Sequence, residues 1–190
     1  MDLKGSQTEK NLLAAFAGES QARTRYSFFA SVAKKEGYEQ ISGIFQETSD
    51  NEREHAQLFF NHLKGGMAEI TASYPAGITG TTAANLKAAA EGEQFEWGTL
   101  YPGFGDVAAG EGFPDVANTF RQVAKVEAFH ERRYRKLLDR VEKGTAFKRD
   151  APIKWKCRNC GYVHEAAEVP VTCPVCAHAR AYFEVWVENY

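Results

Sequence analysis

The chain has 190 residues, of which 44% are hydrophobic and 25% charged, so it has the composition of a folded globular protein and not of a disordered or collagen-like chain. Its 23 Lys and Arg nearly balance its 25 Asp and Glu, so the net charge of -2 gives no indication of a nucleic-acid-binding surface. The sequence shows neither the apolar segment of a signal peptide nor the run of about 18 apolar residues that a membrane span needs. We therefore expect a cytoplasmic protein with no membrane or nucleic-acid partner.

The apolar residues at helical spacing predict four helices, over 7–35, 38–64, 82–109 and 114–143. The first two and the last two of these helices are joined by short turns, whereas residues 65–82 form a long, Gly-containing connection in the middle. Two short turns and one long crossover are typical of a ferritin-like four-helix bundle. The fold class is therefore predicted to be mainly α.

The third predicted helix contains Pro102, Gly103 and Gly105. Proline lacks an N–H and its ring collides with the preceding helical turn. We therefore expect either a kink or an early end of the helix at this point, and the sequence does not choose between them.

The C-terminal part of the chain differs in composition, because all four cysteines lie between positions 157 and 176. We predict a bundle domain over 1–145, a linker over 146–152 and a small β domain over 153–190. Gly144 and Pro152 flank the linker and favour the end of a helix and an extended segment.

Each predicted helix carries a glutamate in the middle of its apolar stripe, namely Glu19, Glu52, Glu93 and Glu127. Burying an ionised carboxylate costs several kcal/mol unless it is paired. No Lys or Arg lies on these stripes, so the sequence offers no cationic side chain for pairing. A bound cation is the remaining candidate.

Two of these glutamates begin a Glu-x-x-His motif, with His55 after Glu52 and His130 after Glu127. Residues at i and i+3 share one helix face and can bind one metal. The 33 residues from Glu19 to Glu52 match the 34 from Glu93 to Glu127, as if two helical hairpins were duplicated halves. We predict a six-ligand site for two metals, with Glu52 and Glu127 bridging and Glu19 and Glu93 terminal. Mixed carboxylate and imidazole ligands favour iron or manganese over structural zinc.

Glu96 breaks the duplication, because Ala22 takes the matching position in the first helix. We interpret Glu96 as a seventh ligand. Carboxylate favours Fe(III) and imidazole favours Fe(II), so we expect Glu96 and His55 to compete for the same iron.

The cysteines form two Cys-x-x-Cys pairs, Cys157 with Cys160 and Cys173 with Cys176, with 12 residues between the pairs. This spacing predicts one tetrahedral metal site, which suits a structural zinc ribbon as well as an iron centre. If this segment is considered without the rest of the chain, zinc is the expected metal. Disulfides are disfavoured by the expected cytoplasmic location.

The chain resembles the rubrerythrin family over essentially its whole length. The resemblance rests on AFAGESQARTRY around Glu19, NEREHA around Glu52, EGEQFEW around Glu93, EAFHERR around Glu127, and CRNCGYVHE with CPVCAH near the end. It implies a di-iron bundle followed by a rubredoxin-like domain with one iron, although zinc can substitute in either site. It also implies a non-haem peroxidase that reduces hydrogen peroxide to water and takes electrons through the four-cysteine centre. The implied donor is an NAD(P)H-linked rubredoxin-type reductase or a rubredoxin.

The same resemblance implies that Tyr26 and Tyr101 lie near the di-iron site, where they hydrogen-bond ligands or guard the peroxide. Packing in the core is an equally good interpretation of both tyrosines. We also expect Trp97, Trp155 and Trp186 to lie in the core or between the domains.

Two further expectations concern assembly and an alternative activity. The last helix is predicted to extend 13 residues beyond His130, about 20 Å, before the linker starts. We therefore expect a head-to-tail homodimer, or a dimer of dimers, in which the tail of one subunit reaches the bundle of the other. A ferroxidase or iron-binding protein of the ferritin-like class is the alternative function, and a plain electron carrier would leave the bundle site unexplained.

Overall fold

The computed structural model describes residues 2–189. The larger part of the chain is helical, and the four predicted helices are confirmed. The elements are α1 (Gln7–Lys35), α2 (Glu39–His62), α3 (Thr82–Phe95), a π-helical segment (Glu96–Leu100), α4 (Tyr101–Gly110) and α5 (Pro114–Glu142). Helix α1 packs against α2, and α3 and α4 pack against α5. The result is a four-helix bundle in which α3, the π-helical segment and α4 together form the third helix.

The helix ends follow from local sequence. The Ser6 side chain accepts a hydrogen bond from the backbone N–H of Glu9 at the start of α1, and the Thr81 side chain does the same for Ala84 at the start of α3. The turn between α1 and α2 places Gly37 at a φ of 85°. A side chain would strain that left-handed backbone, so a glycine is favoured there.

The π-helical segment shows how the third helix passes Pro102. The backbone N–H of Tyr101 donates to the carbonyl of Glu96, five residues back, where a regular α-helix would bond four residues back. This wider turn comes directly before Pro102, which lies in the first turn of α4. The helix therefore continues as α4 to Gly110 and does not end at the proline.

Two apolar clusters fill the bundle at different levels. One contains Tyr26, Phe45 and Leu86, and the other contains Leu12 and Phe120. The buried glutamates and histidines of α1, α2, α3 and α5 lie at positions between these clusters along each helix. Apolar packing above and below keeps bulk water away from the polar layer.

The crossover between α2 and α3 runs over residues 63–81 without a helix or strand. Its Tyr74 hydroxyl donates to the backbone carbonyl of Ala14 on α1 at 2.7 Å. The Asn85 side chain bonds both backbone groups of Gly80 and so fixes the approach to α3.

The C-terminal domain is a three-stranded antiparallel sheet in the order β2-β1-β3, with β1 (Lys148–Cys157), β2 (Val163–Glu168) and β3 (Phe183–Val185). Strand β1 begins inside the segment 146–152 for which we predicted a linker, because Lys148 pairs with Glu168. The pairing is irregular between Lys148 and Ile153. Pro152 lies in this irregular stretch, where the lack of an N–H interrupts no regular ladder.

The tryptophans only partly follow the expectation. Trp155 is 1% exposed in the core of the small domain, as expected. Trp97, however, is 36% exposed on the π-helical segment and donates its indole N–H to Glu131 at 2.8 Å. The prediction of a core position for Trp97 was therefore wrong, because the wider π turn rotates residue 97 towards the surface.

The small domain contacts the starting end of α2. The Tyr38 and Phe147 rings stack with centroids 5.8 Å apart and planes 4° from parallel. The guanidinium of Arg158 lies so close to Gly43 that a Cβ there would be only 2.7 Å from it. Among the described residues, no helix has both the length and the apolar character required to cross a membrane.

Candidate metal centres

The bundle centre is built from four glutamates and two histidines that the helices direct inwards. The glutamates are at most 1% exposed and the histidines at most 7%. These residues are Glu19 on α1, Glu52 and His55 on α2, Glu93 on α3, and Glu127 and His130 on α5. The helices thus bring together all six residues of the duplicated pattern.

Their ligand atoms form two groups, each with all members within 4.8 Å of one another. Glu52 and Glu127 belong to both groups. Glu19 and His55 complete the first group, and Glu93 and His130 complete the second. Two adjacent groups that share two carboxylates have the arrangement of a two-metal site with bridging carboxylates.

Each histidine lies against both shared glutamates. His55 Nδ1 is 2.8 Å from Glu52 Oε2 and 2.8 Å from Glu127 Oε1. His130 Nδ1 is 2.8 Å from Glu127 Oε2 and 3.3 Å from Glu52 Oε1. The i, i+3 spacing places each histidine beside its own glutamate, and the approach of α2 to α5 brings it to the other.

The donor atoms fit cations, because many of them are buried with no hydrogen-bond partner outside this cluster of glutamates and histidines. These atoms are Glu19 Oε2, Glu52 Oε1, Glu93 Oε2, both carboxylate oxygens of Glu127, and His130 Nδ1. A buried polar atom left without a partner costs about 1–3 kcal/mol. Carboxylate oxygens and imidazole nitrogens gathered in this way are ligands for first-row transition metals.

In the metal-free protein, protons take the place of cations. Burial, followed by the charges of neighbouring carboxylates, raises the pKa of Glu19 and of Glu93 well above the usual value. Burial alone would lower the pKa of His55, but its hydrogen bonds to Glu127 and Glu52 prevail and raise it to about 10. The pKa of Glu127, although burial opposes the shift, falls to about 2 because both histidines bond to it.

This proton uptake predicts a pH-dependent stability of the metal-free protein. Glu19, Glu93 and His55 have folded-state pKa values above 4.5 and 6.5, the values they return to on unfolding. These three residues stabilise the folded protein fully at pH values below their unfolded pKa values. This stabilisation is lost as pH rises towards their folded-state pKa values. The contribution of Glu127 to stability changes with pH in the opposite direction. That change falls between about pH 2 and pH 4.5, the folded and unfolded pKa values of Glu127, and so lies below pH 5.

We therefore expect Tm of the chelated protein to fall by roughly 5 °C or more between about pH 5 and pH 8. The iron-loaded protein should not show this fall in Tm, because its metal-bound ligands carry no protons and only the unfolded histidines lose protons over this range, which favours the folded state as pH rises. Calorimetry of both forms measures the difference. Equal pH dependence of the two forms would contradict this account of the bundle centre.

Two buried tyrosines hold the two terminal glutamates. The Tyr26 hydroxyl donates to Glu93 Oε1 at 2.6 Å, and the Tyr101 hydroxyl donates to Glu19 Oε1 at 2.5 Å. Both tyrosines are at most 1% exposed and also belong to the apolar clusters. Core packing and hydrogen bonding to a candidate ligand therefore coexist at each of these residues.

We expect Tyr101→Phe to weaken iron binding about tenfold, because partners that orient a metal ligand contribute about 10–100-fold to metal affinity. Tyr134→Phe is the matched control, since the Tyr134 hydroxyl is buried without a hydrogen-bond partner. Competition with a chelator measures both variants. The same iron affinity in Tyr101→Phe and Tyr134→Phe would show that Tyr101 only packs.

Glu96 lies apart from the six clustered residues. It is the first residue of the π-helical segment, is half-buried, and belongs to neither group of ligand atoms. Burial, followed by the charge of Glu93, raises its pKa, and Arg25 opposes this shift. The predicted role of Glu96 as a seventh ligand stays a prediction.

A cavity of about 750 Å³ lies beside the bundle centre, between α1, the crossover and the π-helical segment. Glu96, Tyr101 and Arg25 line it, and so does Tyr74 of the crossover. The Arg25 Nε atom is buried there without a hydrogen-bond partner. Sequence reasoning missed Arg25 and Tyr74, because one lies beside the apolar stripe of α1 and the other in a segment without periodicity.

The four cysteines form the second centre. Their Sγ atoms lie within 4.8 Å of one another, with 3.8 Å between Cys157 and Cys176 and 3.7 Å between Cys160 and Cys173. A tetrahedron of sulfurs about 2.3 Å from a metal has edges of about 3.8 Å. The four thiols are not joined in disulfides. Their geometry therefore fits one tetrahedral metal ion.

The two cysteine pairs are held by similar turns. The backbone N–H of Gly161 donates to the Cys157 carbonyl at 2.8 Å, and that of Ala177 donates to the Cys173 carbonyl at 3.0 Å. Gly161 has a φ of 79° and Ala177 a φ of 57°. Cys160 is exposed, so this centre reaches the surface of the protein.

Comparison with known proteins agrees with both centres. The family profile described as Rubrerythrin matches residues 10–138, and the profile described as Rubrerythrin, rubredoxin-like domain matches residues 155–184. A rubrerythrin of Porphyromonas gingivalis is 63% identical over 99% of this chain and 94% of its own length. A rubrerythrin of Nitratidesulfovibrio vulgaris is 52% identical over 99% of this chain and 98% of its own.

Solved structures support the fold. Fully reduced, all-ferrous nigerythrin is 30% identical and aligns with a TM-score of 0.64 over 96% of this chain and 87% of its own. A bacterioferritin of Desulfovibrio desulfuricans is only 16% identical and shows the fold alone, with a TM-score of 0.60 over 73% of this chain and 83% of its own. The ferritin-like bundle is thereby confirmed. With a bundle profile over most of its length and a rubredoxin-like profile over its four cysteines, the chain belongs to the rubrerythrin family, whose members bind iron.

Proposed function

We propose that this protein is a peroxidase that reduces hydrogen peroxide to water at the bundle centre, with electrons supplied through the four-cysteine centre. The observation that carries the proposal is the presence of two different centres on one chain. One is closed inside the bundle, where six donor residues are at most 7% exposed. The other reaches the surface at Cys160. An enclosed reaction site and an exposed electron acceptor suit a reductase.

Two irons in the bundle centre would supply the two electrons needed to cleave the O–O bond of peroxide. With two protons, the products are two molecules of water. A mononuclear iron held by four thiolates would carry one electron at a time. Zinc in that position would bind equally well but would carry no electrons.

The protein residues have distinct roles in this proposal. Glu52 and Glu127 would be shared by the two metals, whereas Glu19 and Glu93 would each hold one. The Tyr101 hydroxyl donates a hydrogen bond to Glu19 Oε1, and the Tyr26 hydroxyl donates one to Glu93 Oε1. These hydrogen bonds fix the direction in which each terminal carboxylate points.

We also propose that Glu96 and His55 alternate as ligands of one iron. His55 Nδ1 lies with Glu19, Glu52 and Glu127 in a single group, from which Glu96 is absent. Loss of electrons makes the iron a harder acid and favours the carboxylate. Crystals of oxidised and reduced protein should show different ligands at this iron, and an unchanged ligand set would contradict the exchange.

We propose that electrons pass between subunits. Helix α5 extends 12 residues beyond His130, about 18 Å by helical rise, before the chain reaches the small domain, which separates the two centres of one chain. We propose a head-to-tail homodimer in which the four-cysteine centre of one subunit serves the bundle centre of the other. Mixing a variant without the bundle metals with a variant without the four-cysteine metal should then restore part of the activity. No recovery in a verified mixed dimer would contradict transfer between subunits.

Steady-state turnover tests the function itself. Iron-loaded protein is combined anaerobically with NAD(P)H, a rubredoxin-type reductase and hydrogen peroxide. We expect one NAD(P)H to be oxidised for each peroxide consumed, and zinc in the four-cysteine centre to stop this reaction. Rapid oxidation of added Fe(II) by oxygen, without consumption of peroxide, would instead indicate a ferroxidase.

A further inference from the structure

The cavity beside the bundle centre is far larger than hydrogen peroxide needs. Its volume is about 750 Å³, whereas one water molecule in the liquid occupies about 30 Å³ and peroxide is about twice that size. Sites of 300–1,000 Å³ are typical for small organic molecules. The volume therefore fits a substrate that carries an organic group.

The cavity is polar beside the metal ligands, and its remaining wall combines apolar and polar residues. Glu96 and Tyr101 form the end next to the metal ligands, since Tyr101 also donates to Glu19. Arg25 places a guanidinium there, with its buried Nε atom unpartnered. The apolar wall residues include Ala14, Ile70, Phe95, Leu100 and Phe104, and the polar ones include Gln7, Lys10, Gln21 and Glu69. A molecule with one polar oxygen end and one hydrocarbon end matches this distribution.

The crossover lines the outer side of the cavity. Tyr74 lines it and is fastened to α1 through the Ala14 carbonyl. Gly18 also lines it, and a Cβ there would be 3.6 Å from the Tyr74 ring. Small residues on α1 thus leave the space open between the helix and the crossover.

We infer that the bundle centre also reduces organic hydroperoxides with an alkyl or aryl group of about ten carbon atoms, and that the group occupies this cavity. The inference rests on the proposed peroxidase function. The O–O bond of ROOH breaks, two electrons come from the reduced bundle metals, and two protons complete one ROH and one water. The reductant is the same NAD(P)H-linked donor as for hydrogen peroxide.

Cumene hydroperoxide is the test substrate, compared with hydrogen peroxide on iron-loaded protein. Ala14→Phe and Ile70→Trp each fill the cavity from a different wall. Their controls are Ala17→Phe, one turn along α1, and Ile78→Trp, on the crossover where residue 78 is 89% exposed. Neither control residue lines the cavity. We expect both filling variants to lower kcat/KM for cumene hydroperoxide at least tenfold and to leave the hydrogen peroxide value within about twofold.

Binding provides a second readout that does not depend on turnover. The product of cumene hydroperoxide, 2-phenyl-2-propanol, should raise Tm of the oxidised iron-loaded protein, because a ligand that binds only the folded state stabilises it. The filling variants should lose this rise and the controls should keep it.

The outcomes separate the two proposals. If the unaltered protein consumes hydrogen peroxide but not cumene hydroperoxide, the organic-substrate inference is overturned and the proposed function stands. If it consumes neither, the proposed function itself fails. An equal loss of both activities in the filling variants, with no loss in the controls, would show that the cavity does not discriminate by the organic group and would also overturn the inference.

Discussion

Replacement of Glu127 by glutamine is expected to leave the bundle without its two irons, while the four-cysteine centre keeps its own. Glu127 belongs to both groups of ligand atoms, and its two buried oxygens each lie 2.8 Å from a histidine Nδ1. The amide removes one negative charge and turns an N–H donor towards the metals. Since mere orienting partners contribute 10–100-fold to metal affinity, the loss for a shared ligand should exceed about 100-fold.

Iron per chain, measured after equilibration with a weak chelator, should fall from three to one in Glu127→Gln. Peroxide turnover should fall to below about 1% of the unaltered protein. Glu142→Gln is the control, because Glu142 is an exposed glutamate at the end of the same helix. Retention of both bundle irons in Glu127→Gln would mean that this carboxylate does not bridge them.

Replacement of Cys173 by serine has the second largest expected effect, because it separates the two centres functionally. Cys173 is buried, and its Sγ atom lies 3.7 Å from that of Cys160. Serine offers a hard, protonated oxygen where the iron requires a thiolate. We expect reductase-dependent peroxide turnover to fall at least about 100-fold, with the two bundle irons retained.

A chemically reduced Cys173→Ser protein should still oxidise its bundle irons in a single turnover with peroxide. Val175→Ser is the control, since Val175 lies in the same turn, is 65% exposed and is not a ligand candidate. Normal reductase-dependent turnover in Cys173→Ser would show that electrons reach the bundle by another route.

The helices and the ligand residues were predictable from sequence for one physical reason. A carboxylate on an apolar stripe cannot be tolerated without a counter-charge, so Glu19, Glu52, Glu93 and Glu127 indicated both the buried face and the cation. The cysteine spacing similarly indicated a tetrahedral site before any fold was known. Sequence patterns were sufficient to predict a residue's environment wherever that environment depends on the residue's own helix or turn.

The structure differs from the sequence-based predictions where packing between distant segments determines the local conformation. The π-helical segment widens the third helix before Pro102 and turns Trp97 outwards, which no helical periodicity indicates. Strand β1 begins at Lys148 because Glu168, twenty residues later, pairs with it. The cavity depends on how Tyr74 fastens an irregular crossover to α1. These features follow from tertiary contacts, and of them only the irregularity of the third helix was indicated in the sequence, by Pro102.

The fold explains why such a centre can be maintained. The two apolar clusters enclose the ligands, so the bundle holds their orientation in the absence of water. The tyrosine hydroxyls donate hydrogen bonds to the terminal glutamates, and the shared glutamates contact both histidines. The polar layer is therefore preorganised for two cations and requires little rearrangement to bind them.

The most direct test of the account is a single reaction of fully reduced, iron-loaded protein with one equivalent of hydrogen peroxide in the absence of oxygen. Stopped-flow absorption follows the thiolate-to-iron band of the four-cysteine centre. We expect the bundle irons to be oxidised first and the band to appear afterwards, as electrons pass from the four-cysteine centre to the bundle. A centre that stays reduced after peroxide has been added, or peroxide that remains unconsumed, would contradict the proposed peroxidase.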